Sequence, residues 1–139
     1  MLLFTTTERI TDLNEKAEHI VTKDTAGNKL TGEKNYRMHL PPDIPASNFW
    51  SVIVYDNKTG LMIKTEQSWP SVYSSCKKLQ VNQDGSIDIW FGPKSPSGSE
   101  NNWIQTIPGK GWNMILRLYN PLETWLNKSW MPGEIEEVK

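Results

Sequence analysis

His19, His39 and Cys76 are the only imidazoles and the only thiol in this chain, and they bound the nucleophilic, acid–base and metal chemistry it can perform. The spacing of the two histidines matches no compact metal-ligand motif, and a single cysteine makes neither a disulfide within the chain nor a multi-thiolate site. No metal and no cofactor is expected. His19 stands among charged neighbours and reads as a structural or surface residue. Cys76 precedes Lys77-Lys78 and reads as a packed cysteine. Gly-x-Ser-x-Gly is absent, so the serines have no nucleophile elbow. A glycosidase needs two carboxyls about 5 to 10 Å apart across a groove, and nothing local sets such a distance for Asp84, Asp88, Glu66 or Glu100. Asp24–Asn28 and Asp56–Gly60 lack the full calcium-ligand series and read as turns. Gly109-Lys110-Gly111 lacks the flanking residues of a phosphate loop. No catalytic residue emerges.

The elements that must position these groups are mostly strands. Asn35–Leu40 alternates, with Tyr36, Met38 and Leu40 on one face and Arg37 and His39 on the other, a candidate ligand-facing pair. Phe49–Tyr55 is apolar on both faces apart from Ser51, as a central strand would be. Asp56–Gly60 turns it into Leu61–Thr65 as a hairpin, and Asn82-Gln83-Asp84-Gly85 joins Cys76–Val81 to Ser86–Gly92 as another. Trp112–Tyr119 is the last strong strand. Asn120 then caps a helical turn with Pro121 first inside it. The spacing of Ile10, Leu13, Ala17, Ile20 and Val21 predicts a helix over Thr5–Val21. Residues 1–20 are expected to form this helical segment and residues 21–139 one domain of about seven strands, an antiparallel β-sandwich or jelly roll. The tail Glu134-Ile135-Glu136-Glu137 reads as a solvated end.

Asn35-Tyr36-Arg37-Met38-His39-Leu40-Pro41-Pro42, Phe49-Trp50-Ser51-Val52, Asp84-Gly85-Ser86, Asn101-Asn102-Trp103 and Leu116–Pro121 follow one another in a way that resembles a bacterial family, the domain of unknown function numbered 1214. The resemblance runs from about Val21 to the C-terminus. It implies a jelly-roll-like fold with no established catalytic residues. It also implies a place in the C-terminal half of two-domain proteins, packed against the domain of unknown function numbered 1254, and often exported.

Composition narrows the partners. Fifteen basic and sixteen acidic residues nearly cancel, so no global field recruits nucleic acid or an anionic membrane. No apolar run approaches the ~20 residues of a membrane span, and Met1-Leu2-Leu3-Phe4 is too short for a signal sequence, so the chain as written is expected in the cytoplasm. The outlier is seven tryptophans. Trp90 and Asp88 oppose Ile87, Ile89 and Phe91, while Arg117 and Tyr119 oppose Met114, Leu116 and Leu118. Trp90, Asp88 and Arg117 therefore share one face if their strands are neighbours. Trp69 and Trp103 fall in loops, and Asn101 and Asn102 set amides beside the Trp103 indole. Trp103, Asn101, Asn102, Trp69, Trp90, Arg37, His39 and Arg117 are thus the candidate ligand-binding residues. They suit a neutral polar ligand such as a glycan, or a peptide. A companion domain or a second copy is the competing partner for the same groups. The expected function is non-enzymatic binding or assembly, with a hydrolase of unrecognised motif as the alternative. The expected core includes Phe49, Ile53, Ile87, Ile89, Leu116 and Leu118. Arg117, costly to bury alone in so apolar a strand, is expected to have a carboxylate or backbone carbonyls as partners.

Overall fold

A computed structural model describes residues 16–139. The strands are β1 (Lys16–Val21), β2 (Asn35–Leu40), β3 (Ala46–Asp56), β4 (Ser71–Tyr73), β5 (Ile87–Gly92), β6 (Trp103–Gln105), β7 (Trp112–Pro121) and β8 (Ile135–Val138), with a short α-helix, α1 (Glu123–Leu126), and a 3-10 turn at Glu100–Asn102. The chain is mainly β. The strands form two four-stranded sheets, ordered β1-β7-β3-β4 and β6-β5-β2-β8. The β5–β6 pair is parallel, and the other pairings between these strands are antiparallel.

Alternation explains why the sheets bury one core between them. β7 turns Trp112, Met114, Leu116 and Leu118 inward, and β2 and β5 answer with Tyr36, Met38, Leu40, Ile87, Ile89 and Phe91. Trp112 joins the layers: its ring stacks on Phe91 at 5.0 Å and meets Tyr36 edge-on at 5.5 Å. Its indole N–H donates to the Thr31 carbonyl, so the largest core side chain leaves no polar atom orphaned.

Several expectations are corrected. Residues 16–21 are strand, not helix, because Ala17, His19 and Val21 lie opposite Leu118, Leu116 and Met114 in β7. The same residues fit a period of two, and pairing with β7 decides between the periods. The rest of the expected N-terminal helix lies outside the described residues. Phe49 and Ile53 are only half-buried, since β3 turns Trp50, Val52 and Val54 to the core instead. Residues 76–81 form a loop rather than a strand, although the Asn82–Gly85 turn is present, closed by Asn82 N–H to the Ser86 carbonyl. Leu61–Thr65 pairs with β3 only through a bridge from Met62 to Tyr55. Asn120 and Pro121 still belong to β7, and Leu122 stands before α1 without a side-chain cap. The acidic tail is strand β8, with Ile135 buried and Glu136 paired to Arg37.

Candidate functional site

Each sheet also has an outward face, and both faces carry aromatics. On the first sheet, β3 presents Phe49, Ser51, Ile53 and Tyr55, flanked by Tyr119, Arg117 and Ile115 of β7 and by Ser71 and Tyr73 of β4. The Phe49 ring lies 5.5 Å from Tyr119 and 6.0 Å from Tyr73. The β3 and β4 side chains and Tyr119, together with Met62 and Trp69, line a groove of about 490 Å³.

Trp69 reaches this groove because its loop is tied down on both sides. The Val54 N–H donates to the Pro70 carbonyl and the Val54 carbonyl accepts from Ile63 N–H. At the loop's outer edge, Gln67 donates to the Trp103 carbonyl at 3.0 Å and accepts from Gln105 N–H at 2.8 Å, which docks the loop on β6. The indole is left 65% exposed, next to Met62 at 42% and Leu61 at 68%. An indole fixed at its backbone and bare at its ring is a stacking plate.

Beneath the groove lies an ion pair. Arg117 Nε donates to Glu18 Oε2 at 2.7 Å and Nη1 to the Tyr55 hydroxyl at 2.8 Å. Burial works against the Arg117 charge, but Tyr55 and Glu18 outweigh it and hold the guanidinium above its ordinary value. The carboxylate partner is of the expected kind. Arg117 does not share a face with Trp90 and Asp88, however, because β7 and β5 lie in different sheets.

On the second sheet the registers set Trp103, Trp90, Arg37 and Glu136 in one row across β6, β5, β2 and β8. Arg37 lies 6.0 Å from the Trp90 ring centroid and bonds to Glu136. One row away, His39 Nδ1 is 2.8 Å from Asp88 Oδ1, and Asp88 Oδ2 accepts from Asn82. An imidazole oriented by a carboxylate is part of a general-base arrangement. His39 is exposed, however, so the pair is open to water. Cys76 is half-buried in the loop after β4. Among the described residues, no three His, Cys, Asp or Glu side chains cluster as a metal would need.

The remaining candidates divide. Trp103 is in strand β6 rather than a loop, half-buried, its indole N–H donating to the Gly92 carbonyl at 3.0 Å. Asn102 is buried and accepts from Gln80 N–H while donating to the carbonyls of Gln80 and Asp88. Its amide is spent on the backbone, whereas Asn101 beside it is exposed. The structure thus brings Trp103, Trp90, Arg37 and His39 to one sheet, and Trp69 and Arg117 to the other. The groove aromatics Phe49, Tyr55, Tyr73 and Tyr119 went unread as site residues. The signal was there: a strand apolar on both faces has a second face to cover.

These observations define a mainly β protein of two stacked sheets with an aromatic surface on each side. The chain belongs to the family described as "Protein of unknown function (DUF1214)", whose model matches residues 15–123. Its fold is similar to that of the VPA0106 protein from Vibrio parahaemolyticus, at a TM-score of 0.77 and 24% identity over 91% of this chain and 31% of that one. A putative uncharacterized protein from Burkholderia cenocepacia is similar at a TM-score of 0.54 and 18% identity, over 88% of this chain and 29% of that one. The chain therefore spans about a third of the length of these solved structures. No curated protein matches it. No helix among the described residues is long and apolar enough to cross a membrane.

Proposed function

We propose that this chain is a non-catalytic, jelly-roll-like β-sandwich module that binds a neutral oligosaccharide in the aromatic groove of its first sheet. The observation that carries this reading is Trp69, 65% exposed above a groove lined by Phe49, Tyr55, Tyr73 and Tyr119. Sugar rings present C–H faces that lie against aromatic planes, and their hydroxyls meet the Ser51, Ser71 and tyrosine hydroxyls at the floor. The groove's size sits within the roughly 300–1,000 Å³ usual for ligand sites. Neutrality follows from Arg117, whose charge is already matched by Glu18. The Asp88–His39 pair lies on the other sheet, which favours binding over hydrolysis at the groove.

The test is a panel of neutral oligosaccharides titrated by calorimetry and tryptophan emission. Saturable binding is expected, weakened about tenfold or more in Trp69→Ala, as for loss of a central aromatic contact. Binding unchanged by Trp69→Ala defeats the assignment of the groove.

Assembly is the second reading, favoured by one observation: Leu61 and Met62 extend the exposed surface beyond Trp69 with aliphatic groups that a sugar does not need. It expects a mass that rises with concentration in sedimentation equilibrium and reverts to monomer in Leu61→Ser/Trp69→Ser.

A further inference from the structure

The outward face of the second sheet holds a separate, smaller pocket. Next to the Trp103–Trp90–Arg37–Glu136 row, the registers place Gln105, Gly92, Asn35 and Val138. Gly92 makes the depression possible. A Cβ there would lie 2.2 Å from Asn35 Oδ1, so only glycine lets the Asn35 side chain lie across β5. The chain leaves the sheet at Gly92 and returns at Trp103, and the intervening loop forms the far wall. That loop is held by Ser99 N–H to the Pro96 carbonyl and by the Gln80 amide to the Gly98 carbonyl at 2.9 Å. The pocket is open on one side and has a volume of about 280 Å³.

The lining defines what fits. Trp90 and Trp103 supply two indoles from adjacent strands, and the Trp103 N–H is already spent on Gly92, leaving its plane as the contact. The volume lies at the small end of ligand sites and takes about one ring. Arg37 is neutralised by Glu136, whereas Lys94 stands at the rim, and among the described residues no Asp or Glu side chain lines the pocket. Among the described residues Lys94 forms no ion pair. A site with two indole walls, one amide and the Lys94 ammonium at its rim selects a flat or ring-shaped group that carries an anion.

We propose that this pocket is a second binding site, independent of the groove, for a ring-sized organic acid: the ring against Trp90 and Trp103, the carboxylate on Lys94, and a ring substituent on the Asn35 amide. Two sources share this chemistry, a sugar acid and an aromatic acid.

The full chain is titrated by ligand-observed NMR and calorimetry with galacturonate and 4-hydroxybenzoate, and with galactose and 4-hydroxybenzamide as their neutral counterparts. Saturable binding of at least one acid is expected, with its neutral counterpart bound several-fold more weakly. Galacturonate alone assigns the sugar acid, and 4-hydroxybenzoate alone the aromatic acid. Lys94→Gln should weaken the acid about twofold to fivefold, as for one exposed charge contact, and added salt should do the same. Trp90→Ala should abolish binding, while Lys58→Gln, an exposed lysine in the turn after β3, should change nothing. Should Trp90→Ala fail to fold, Lys94→Gln decides alone, because its side chain is exposed and carries no core packing. Equal binding of acid and neutral counterpart overturns the proposal. So does acid binding indifferent to Lys94→Gln, or no saturable acid binding at all. Each of these outcomes is read separately from the neutral oligosaccharide titration of the groove.

Discussion

Replacing Arg117 with methionine should destabilise the protein by about 2–3 kcal/mol, and the size of that cost follows from how deeply the ion pair is set. The Arg117 and Glu18 side chains are 17% and 11% exposed, between a surface pair and a buried one. Exposed pairs are worth about 0–1 kcal/mol, whereas breaking a buried pair costs about 3–5 kcal/mol because the surviving charge is stranded. Methionine removes both hydrogen bonds and the guanidinium that lies 5.7 Å from the Tyr55 ring centroid, and it orphans the Glu18 carboxylate. Removing that orphan should restore part of the stability. Arg117→Met/Glu18→Gln is therefore expected to cost less than the sum of the single variants, with a coupling of about 1–2 kcal/mol. Urea unfolding of the four proteins that make up the cycle measures both quantities. The reasoning fails if Arg117→Met lies within about 0.5 kcal/mol of wild type, or if the two changes add. It also fails if that variant keeps full stability yet loses oligosaccharide binding, since Arg117 would then serve the ligand rather than the sheet.

Three further outcomes are expected. Leu116→Ala should cost about 2–5 kcal/mol in urea unfolding, and Ile53→Ala, half-exposed on the groove face, only about 1–2 kcal/mol. Asn102→Ala should cost about 2–3 kcal/mol in the same measurement, because it strands the Gln80 N–H and the carbonyls of Gln80 and Asp88. His19 is held below the ordinary imidazole value of 6.5 by burial, and among the described residues its Nδ1 has no partner, so the folded state binds fewer protons than the unfolded chain once the pH drops below that value. Its stability contribution is whole above pH 6.5 and is lost as the pH falls toward the folded value, at most about 1.4 kcal/mol per pH unit. Glu33, Asp56 and Asp84, held low chiefly by hydrogen bonds from Gly109, Lys58 and Ser86, act only from their ordinary values of 4.5 and 3.8 downward. Unfolding followed by circular dichroism from pH 7.5 to 5 should therefore show a decline that His19→Phe removes.

The strands that could be read from sequence are those whose two faces differ. β2, β5 and β7 each alternate a large apolar residue with a polar or aromatic one, so Tyr36, Ile89 and Leu116 could be told from Arg37, Trp90 and Arg117 before any partner strand was known. β3 could be recognised but not oriented. Trp50, Val52 and Val54 compete with Phe49, Ile53 and Tyr55 for the core, and only the position of β3 between β7 and β4 decides. That ambiguity hid the groove, because the residues assigned inward are the ones that line it. β4, β6 and β8 have three or four residues each and no readable period of their own; a neighbouring strand's free edge makes them. Arg117's need for an acid was legible in its chemistry, but that the acid is Glu18 depends on β1 pairing with β7. The pocket on the second sheet was half visible. Trp90 and Trp103 could be singled out, whereas their adjacency rests on a parallel pairing that no short-range signal announces.

Two ion pairs on the sheet faces, Arg117 with Glu18 and Arg37 with Glu136, join residues 99 positions apart. The first lies across β1 and β7 and the second across β2 and β8, so each sheet contains a pairing between opposite ends of the chain. Loop-closure entropy must be met before either contact gives anything back, which places the domain among slow folders, on the millisecond-to-second scale of non-local β proteins. During synthesis β2 can pair with β5 early, yet its other edge stays open until Ile135–Val138 has left the ribosome. In that interval an unpaired strand with an apolar face is available to any neighbour, the kind of exposure that makes a partly folded chain prone to aggregate.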